Sequence, residues 1–195
     1  RASDQIMHDV CLQKLPVVFF VDRGGLVGED GATHHGLFDI GFLRIVPDLC
    51  CMQPRDETQL KAMLSFCLTL DGPAVIRVPK AYVEPGMGIE VTDAPLRLGT
   101  AQIIRPGKHG YILSIGQMVY DALAIAVALE RRGYSIGVVD SRFIQPIDSK
   151  TVVEVGIETG CLITLEDSSL VGGFGSAILE TLEVQEVHGV TVKRV

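Results

Sequence analysis

Short apolar runs alternate with helix-patterned stretches along almost all of this 195-residue chain, and that alternation limits the possible folds more than any other feature. The runs at Val17–Val21, Leu49–Met52, Ala74–Val78, Tyr111–Ile115, Ile136–Val139 and Cys161–Leu165 are rich in Val, Ile and Leu, and Val190–Val195 adds a further strand near the end. Such continuous apolar runs predict parallel strands covered on both faces rather than strands with one wet face. Helical patterns fall between them at Asp4–Gln13, Phe38–Ile45, Asp56–Leu70, Gln117–Arg132, Asp148–Glu158 and Ser176–Leu182. The third of these is the clearest in the first half. Asp56 is placed as an N-cap with Gln59 three residues on, and Leu60, Met63, Leu64, Cys67 and Leu68 form an apolar stripe. Gly133 after Arg131-Arg132 is a helix stop. From Pro79 to about Arg97 the periodicity fails and Pro85, Gly86, Gly88 and Pro95 accumulate, which reads as a connector. The expectation is an α/β protein of two doubly wound, mostly parallel-sheet units, 1–80 and 106–195, joined by residues 81–105.

Composition narrows the partners. The chain is 47% hydrophobic and 21% charged, ordinary for a soluble globular protein. A net charge of −7 with no basic cluster argues against nucleic acid, because phosphate contacts need grouped Lys and Arg. No apolar run approaches membrane-spanning length and no signal-peptide pattern is present, so a membrane partner is not expected. Cys11, Cys50, Cys51, Cys67 and Cys161 are odd in number, lack CxxC spacing and lie in apolar segments. They read as buried reduced thiols of a cytoplasmic protein. Cys50 and Cys51, adjacent in a strand, point to opposite faces and cannot chelate one metal together. The chain begins at Arg1 rather than Met, and is expected to be a piece of something longer.

The segment after the first strand carries the chemistry. Five glycines between Gly24 and Gly36 permit tight turns and close approach to a ligand, and packed among them are Arg23, Glu29, Asp30, Thr33, His34 and His35. In open α/β sheets ligands bind outside the carboxyl ends of strands, where this loop begins. Asp30, with His34 or His35, is a candidate for proton transfer or substrate hydrogen bonding. At least one histidine of the pair is expected to be structural. A metal held by Asp30, His34 and His35 lacks an evident fourth ligand, and no G-x-S-x-G elbow supports serine hydrolysis. Arg23 and Lys80 both stand just past strand ends, where they could hold a phosphorylated or carboxylated substrate or could be solvated surface charges. Gly172-Gly173-Phe174-Gly175-Ser176 has the look of a phosphate cradle. It lacks a Walker lysine and follows the anionic Glu166-Asp167, which favours close strand–helix packing there.

Asp22-Arg23-Gly24-Gly25-Leu26-Val27-Gly28-Glu29-Asp30-Gly31-Ala32-Thr33-His34-His35-Gly36 is similar to the D-R-A-G-x-V-G-x-D-G-x-T-H-x-G loop of the transketolase-type thiamine-diphosphate enzymes, in the form found in the deoxyxylulose phosphate synthases. Phe38-Asp39, Leu43-Arg44, Pro47 and the Pro54–Glu57 helix start continue the likeness. Asp140-Ser141-Arg142-Phe143-Ile144-Gln145-Pro146-Ile147-Asp148 and the stretch from Glu166 to Gly175 resemble the C-terminal domain of the same enzymes. The resemblance covers essentially the whole chain. It implies a pyrimidine-binding domain, C-terminal part, over 1–80 and a transketolase C-terminal domain, incomplete at its end, over 106–195.

The resemblance implies a reaction in which pyruvate is decarboxylated with thiamine diphosphate and its two-carbon unit is joined to glyceraldehyde 3-phosphate. The product is 1-deoxy-D-xylulose 5-phosphate, an isoprenoid precursor. Asp30 and His34 would line the reacting centre, Arg23 and Lys80 would bind the acceptor phosphate, and Arg1 would face the same pocket. The protein would be a homodimer. Thiamine diphosphate and Mg²⁺ would be bound mainly by domains absent from this chain, which also lacks the glutamate serving the aminopyrimidine, so the chain alone is expected to be inactive. Two departures stand out. Lys80 replaces the second arginine of an Arg-Tyr-Pro-Arg-Gly segment, here Arg77-Val78-Pro79-Lys80-Ala81, which leaves open a relative with a different acceptor, transketolase-like or acyloin-forming. Cys50-Cys51 and Arg55 replace apolar residues and a small one, which reads as drift. A third reading is a non-catalytic interaction subunit of a split transketolase-type enzyme.

Overall fold

A computed structural model describes residues 2–81 and 94–195. In chain order it contains α1 (Ser3–Gln5), a π-helical turn (Ile6–Cys11), β1 (Val18–Gly24), a 3-10 turn (Ala32–His34), α2 (Asp39–Leu43), β2 (Cys50–Met52), α3 (Glu57–Cys67) and β3 (Ala74–Pro79). The second half adds β4 (Gln102–Arg105), β5 (Gly110–Ser114), α4 (Met118–Glu130), β6 (Ile136–Asp140), β7 (Phe143–Gln145), α5 (Ser149–Thr159), β8 (Cys161–Leu165), α6 (Phe174–Val184) and β9 (Thr191–Arg194). The strands form two sheets, β1-β3-β2-β7 and β4-β6-β5-β8-β9. All neighbours are parallel except β7 on β2 and β4 on β6. The expected α/β class and mostly parallel sheets are present.

Residue alternation places the helices on both faces of the second sheet. Ile112 and Val138 face α4 through Val119, Ala122 and Ala126, spaced along one helical stripe. Their neighbours Tyr111, Leu113 and Val139 face the other way, toward Val152 and Val155 of α5 and Phe174 and Ile178 of α6. In the first sheet the same period sends Cys50 and Met52 toward Met63 and Cys67 of α3, while Cys51 joins the opposite core. The adjacent thiols do point to opposite faces, and burial pushes both up, Cys50 to about 12. Cys161, in contrast, is only half-buried.

Four local readings differ from the structure. The first helical pattern is broken into α1 and a π-turn, in which Leu12 N–H reaches Met7 O and Leu15 N–H reaches Val10 O, five residues back. The apolar stripe of α3 is only half used. Met63 and Cys67 are buried, whereas Leu64 and Leu68 are exposed. Residues 102–105, expected in the connector, form β4 because β6 offers an open edge with which they pair antiparallel. The connector between 82 and 93 lies outside the described residues. Finally, Phe143–Gln145 was assigned to no element, yet it forms β7 and extends the first sheet.

That last strand belongs to a wider departure, because the two units are interlocked rather than merely joined. One core runs through both, from Cys11, Ile40, Leu49, Cys51 and Val75 to Leu113, Val139, Val152 and Phe174. The polar segment before α3 pins the second unit directly. Gln53 N–H donates to Arg142 O at 3.1 Å. Arg55 Nη1 donates to Asp140 Oδ2 at 2.6 Å, and Gln59 Nε2 donates to the same oxygen at 2.7 Å. Tyr120 Oη donates to Asp56 Oδ2 at 2.7 Å while Asp56 Oδ1 caps α3 by accepting from Gln59 N–H. Arg55 therefore is not drift. Its side chain and that of Asp140 are both 0% exposed, and each is the other's charge partner. Burial holds the Asp140 carboxyl above its ordinary value, with Arg55 and Gln59 offsetting part of that rise. When Asp140 is lost, Asp56 Oδ2, 3.1 Å from Arg55 Nε and partly exposed, remains as a weaker partner, so Asp140→Ala is expected to cost about 3 kcal/mol, the low end for a broken buried pair. The measurement is the chemical denaturation midpoint, with an unchanged slope indicating that stability alone has moved.

Candidate functional site

β1 and β3 are adjacent parallel strands whose carboxyl ends are in register, with Gly24 opposite Pro79. This places Arg23, in the last turn of β1, beside Lys80, just past β3. A register shift between Val21 and Gly24 marks a bulge, and within it Arg23 adopts a left-handed φ of 60°. Bulges of this kind re-aim side chains at sheet ends, and an arginine held there is under local strain.

The glycine loop then leaves and returns to its starting point. Gly25 N–H donates to Gly36 O at 2.9 Å and Gly36 N–H donates to Gly25 O at 3.0 Å, closing a neck around residues 25–36. Gly36 is required there, because a Cβ would fall on the carbonyl oxygen of Arg23. Inside the loop Val27 is buried and its N–H donates to His35 Nδ1 at 2.9 Å. His35 is thus the structural histidine of the pair, its proton carried on Nε2. Gly31, with φ of 76°, opens the 3-10 turn that presents His34 on the exposed side of the loop, its Nδ1 3.0 Å from Thr33 Oγ1.

Asp30 lies between the two cations. Lys80 Nζ donates to Asp30 Oδ1 at 2.9 Å and to Oδ2 at 2.8 Å, and Arg23 Nε donates to Oδ2 at 3.2 Å. Arg23 Nη1 also donates to Asp22 Oδ2 at 2.8 Å. The structure therefore brings Arg23, Asp30 and Lys80 into one cluster, with His34 on the same loop. Arg1 lies outside the described residues.

Beneath the neck is a residue that sequence reasoning passed over. Arg77 is the one charged residue within the apolar run of β3, and its side chain is 0% exposed. All five of its N–H donors are used. Nε donates to Asp39 Oδ2 at 2.8 Å, Nη1 to Gln53 Oε1 at 2.8 Å and Asp167 Oδ1 at 2.6 Å, and Nη2 to Gly36 O at 2.8 Å and Asp167 O at 3.3 Å. Burial works against the charge, but Asp167 and Asp39 outweigh it and hold Arg77 protonated. The signal was present in the sequence, since a charge inside a buried strand must be paired. The identity of its partners, 38 and 90 residues away, was not.

The glycine-rich stretch before α6 is also resolved. Its free N–H groups are taken by Glu166, whose Oε2 accepts from Phe174 N–H and Oε1 from Gly175 N–H, both at 2.7 Å. The anion at this helix start is the protein's own carboxylate, and Gly173 has no room for a Cβ against Ser169 O and Glu166. A diphosphate does not fit in this cradle. Among the described residues no group of three His, Cys, Asp or Glu is arranged to hold a metal ion, and no helix is long and apolar enough to cross a membrane.

The cluster makes its own prediction. Hydrogen bonds from Lys80, then from Arg23, hold the Asp30 carboxyl below its ordinary value of 3.8. A depressed carboxylate contributes stability that is present above the ordinary value and lost only as pH falls through the lowered one. The loop pairing is thus expected to persist at pH values where a free carboxyl has begun to protonate. Lys80→Ala should move the Asp30 midpoint up toward 3.8, as read by carboxyl NMR titration.

Residues 1–85 match the transketolase pyrimidine binding domain and residues 99–195 match the transketolase C-terminal domain. The chain is 47% identical over 192 residues to 1-deoxy-D-xylulose-5-phosphate synthase of Heliobacterium modesticaldum, covering 96% of this chain and 29% of that protein. It is 44% identical to 1-deoxy-D-xylulose-5-phosphate synthase 1 of Geobacter metallireducens, covering 100% and 31%. The chain thus spans about three-tenths of the length of these relatives. Among solved structures, one described as "Split gene transketolase, inactive beta4 tetramer" superposes with a TM-score of 0.87 at 31% identity, over 100% of this chain and 62% of that one. Transketolase from Campylobacter jejuni shares the fold with a TM-score of 0.72 at 20% identity, over 95% and 28%. The chain belongs to the transketolase family, of which it carries the pyrimidine-binding and C-terminal domains.

Proposed function

We propose that this chain is the part of a thiamine-diphosphate-dependent 1-deoxy-D-xylulose-5-phosphate synthase that receives the acceptor substrate. The observation carrying this reading is the convergence of Arg23, Asp30 and Lys80 at the carboxyl ends of two parallel strands, on a loop bearing His34. Relatives at 44–47% identity bear the synthase name, which supports pyruvate and glyceraldehyde 3-phosphate as substrates. In this reading Arg23 and Lys80 grip the acceptor phosphate through charge-assisted hydrogen bonds. Asp30 and His34 hydrogen-bond substrate oxygens and move the proton that turns the acceptor carbonyl into an alcohol. Arg1 is a further substrate-binding residue.

Thiamine diphosphate, when bound with Mg²⁺, would supply the carbon nucleophile. We assign the binding of both mainly to parts of the enzyme outside this chain. We assign the units as 1–80 and 106–195 around a connector at 81–105, the enzyme as a cytoplasmic homodimer, and the chain alone as inactive. A second reading rests on the neighbour described as the product of a split gene and an inactive tetramer. There the chain is a non-catalytic interaction subunit, and activity appears only on adding a separate partner chain.

Two expectations test the first reading in the full-length enzyme. Asp30→Ala and His34→Ala should lower kcat by about a hundredfold or more with little change in melting temperature, since both side chains lie on a surface loop. Equal losses of stability and activity count against it. Lys80→Ala should raise the KM for glyceraldehyde 3-phosphate by about tenfold or more, leaving pyruvate decarboxylation little changed. Lys80→Arg should retain or improve acceptor binding, because guanidinium grips phosphate with two parallel bonds. An unchanged acceptor KM in Lys80→Ala beside a large effect in Arg23→Ala would assign the phosphate to Arg23 alone.

A further inference from the structure

The stretch from Glu166 to Gly173, which carries no ligand chemistry of its own, lies along the base of the glycine loop. Asp167 Oδ1 and its backbone carbonyl accept from Arg77, which in turn holds Gly36 O. Asp167 Oδ2 is buried with no hydrogen-bond partner among the described residues, against Gly25, where a Cβ would sit 2.6 Å from it. Ser169 N–H donates to Leu37 O at 2.9 Å, just past the neck, and Gly172 O accepts from Arg44 Nε at 2.9 Å. Gly24, next to Arg23, leaves room for the Arg77 guanidinium, whose Cζ would lie 2.8 Å from a Cβ there. Gly36 is therefore braced from the second unit through Arg77, and Gly25 lies directly against Asp167.

We propose that the Glu166–Gly173 loop of the C-terminal unit is the brace that positions the substrate loop, with Asp167 and Arg77 as its positioning residues. Neither side chain touches substrate. Arg77 fixes the carbonyl on which the neck closes, and Asp167 fixes Arg77. The neck in turn sets the backbone from which Arg23 projects. Glu166, by occupying the N-terminus of α6, anchors the brace at its start, with Ser168 Oγ donating to it. The C-terminal unit thereby acts on the site without contributing a group to it. The consequence for substrate binding rests on the assignment of Arg23 and Lys80 as the phosphate cations.

The test is hydrogen exchange at the Gly25 and Gly36 amides of the full-length protein, read beside its affinity for inorganic phosphate. Asp167→Asn keeps the shape and removes the charge, and Arg77→Lys keeps the charge and removes donors. Each is expected to speed exchange at both amides by about tenfold and to weaken phosphate by about two- to thirtyfold. Amides of β5 should keep their protection. Tyr120→Phe removes a contact between the same two units away from the loop, and should leave the neck amides and phosphate affinity unchanged. Unchanged exchange at Gly25 and Gly36 in Asp167→Asn overturns the proposal, as does an equal acceleration in Tyr120→Phe. Failure of the unsubstituted protein to bind phosphate overturns the assignment of Arg23 and Lys80 instead, and the exchange result still decides whether the brace exists.

Discussion

The guanidinium of Arg77 sits where four parts of the chain meet. It is fully buried, and an ion so placed persists only if every donor is paired and the charge is met. Asp39 at the start of α2, Gln53 after β2, Gly36 at the neck of the glycine loop and Asp167 after β8 together satisfy that demand. The arrangement makes the positions of these four segments interdependent. Arg55 and Asp140 repeat the principle at the other contact between the units, with Gln59 and Arg142 N–H completing the carboxylate's shell. Apolar packing brings the two sheets together, but it is non-directional. The buried ion pairs fix how the units are registered.

That division of labour explains the difference between the two loops rich in glycine. The first, from Gly24 to Gly36, is exposed at its tip and carries charged side chains outward, with backbone closure and His35 holding it from within. The second, from Glu166 to Gly175, turns its backbone donors inward onto its own carboxylate. Both need glycine, the one at its neck for close approach to Arg23, the other for close approach of strand to helix. Only the first is free to meet a ligand.

Much of the fold was legible because it rests on local regularities. The apolar runs located all but two of the strands, and the cap at Asp56 sits where its hydrogen bond to Gln59 N–H forms. β4 and β7 were missed because each is short and takes its strand character from a partner's open edge rather than from its own pattern. Leu64 and Leu68 illustrate the converse. Their spacing marks a stripe, yet Met63 and Cys67 are buried with Leu60 partly covered beside them, while Leu64 and Leu68 stay exposed. At the site, Arg23, Asp30 and His34 were visible as chemistry on one loop, and the resemblance to a known loop motif singled them out further.

By itself the sequence determined the α/β class, the strand and helix order and the loop on which the candidate chemistry is carried. These follow from periodicity and glycine placement within a dozen residues or so, and need no knowledge of distant partners. Tertiary structure alone decided that Arg55 and Arg77 are paired interior charges rather than surface residues. It decided that Lys80 meets Asp30, and that one histidine holds the loop while the other faces outward. The reason is that the charge pairings span sequence separations as long as 50 to 90 residues, as between Lys80 and Asp30 or Arg77 and Asp167, while the histidines are told apart by the fold of the loop itself. A charge states that it needs a partner when buried; only the folded chain supplies which one.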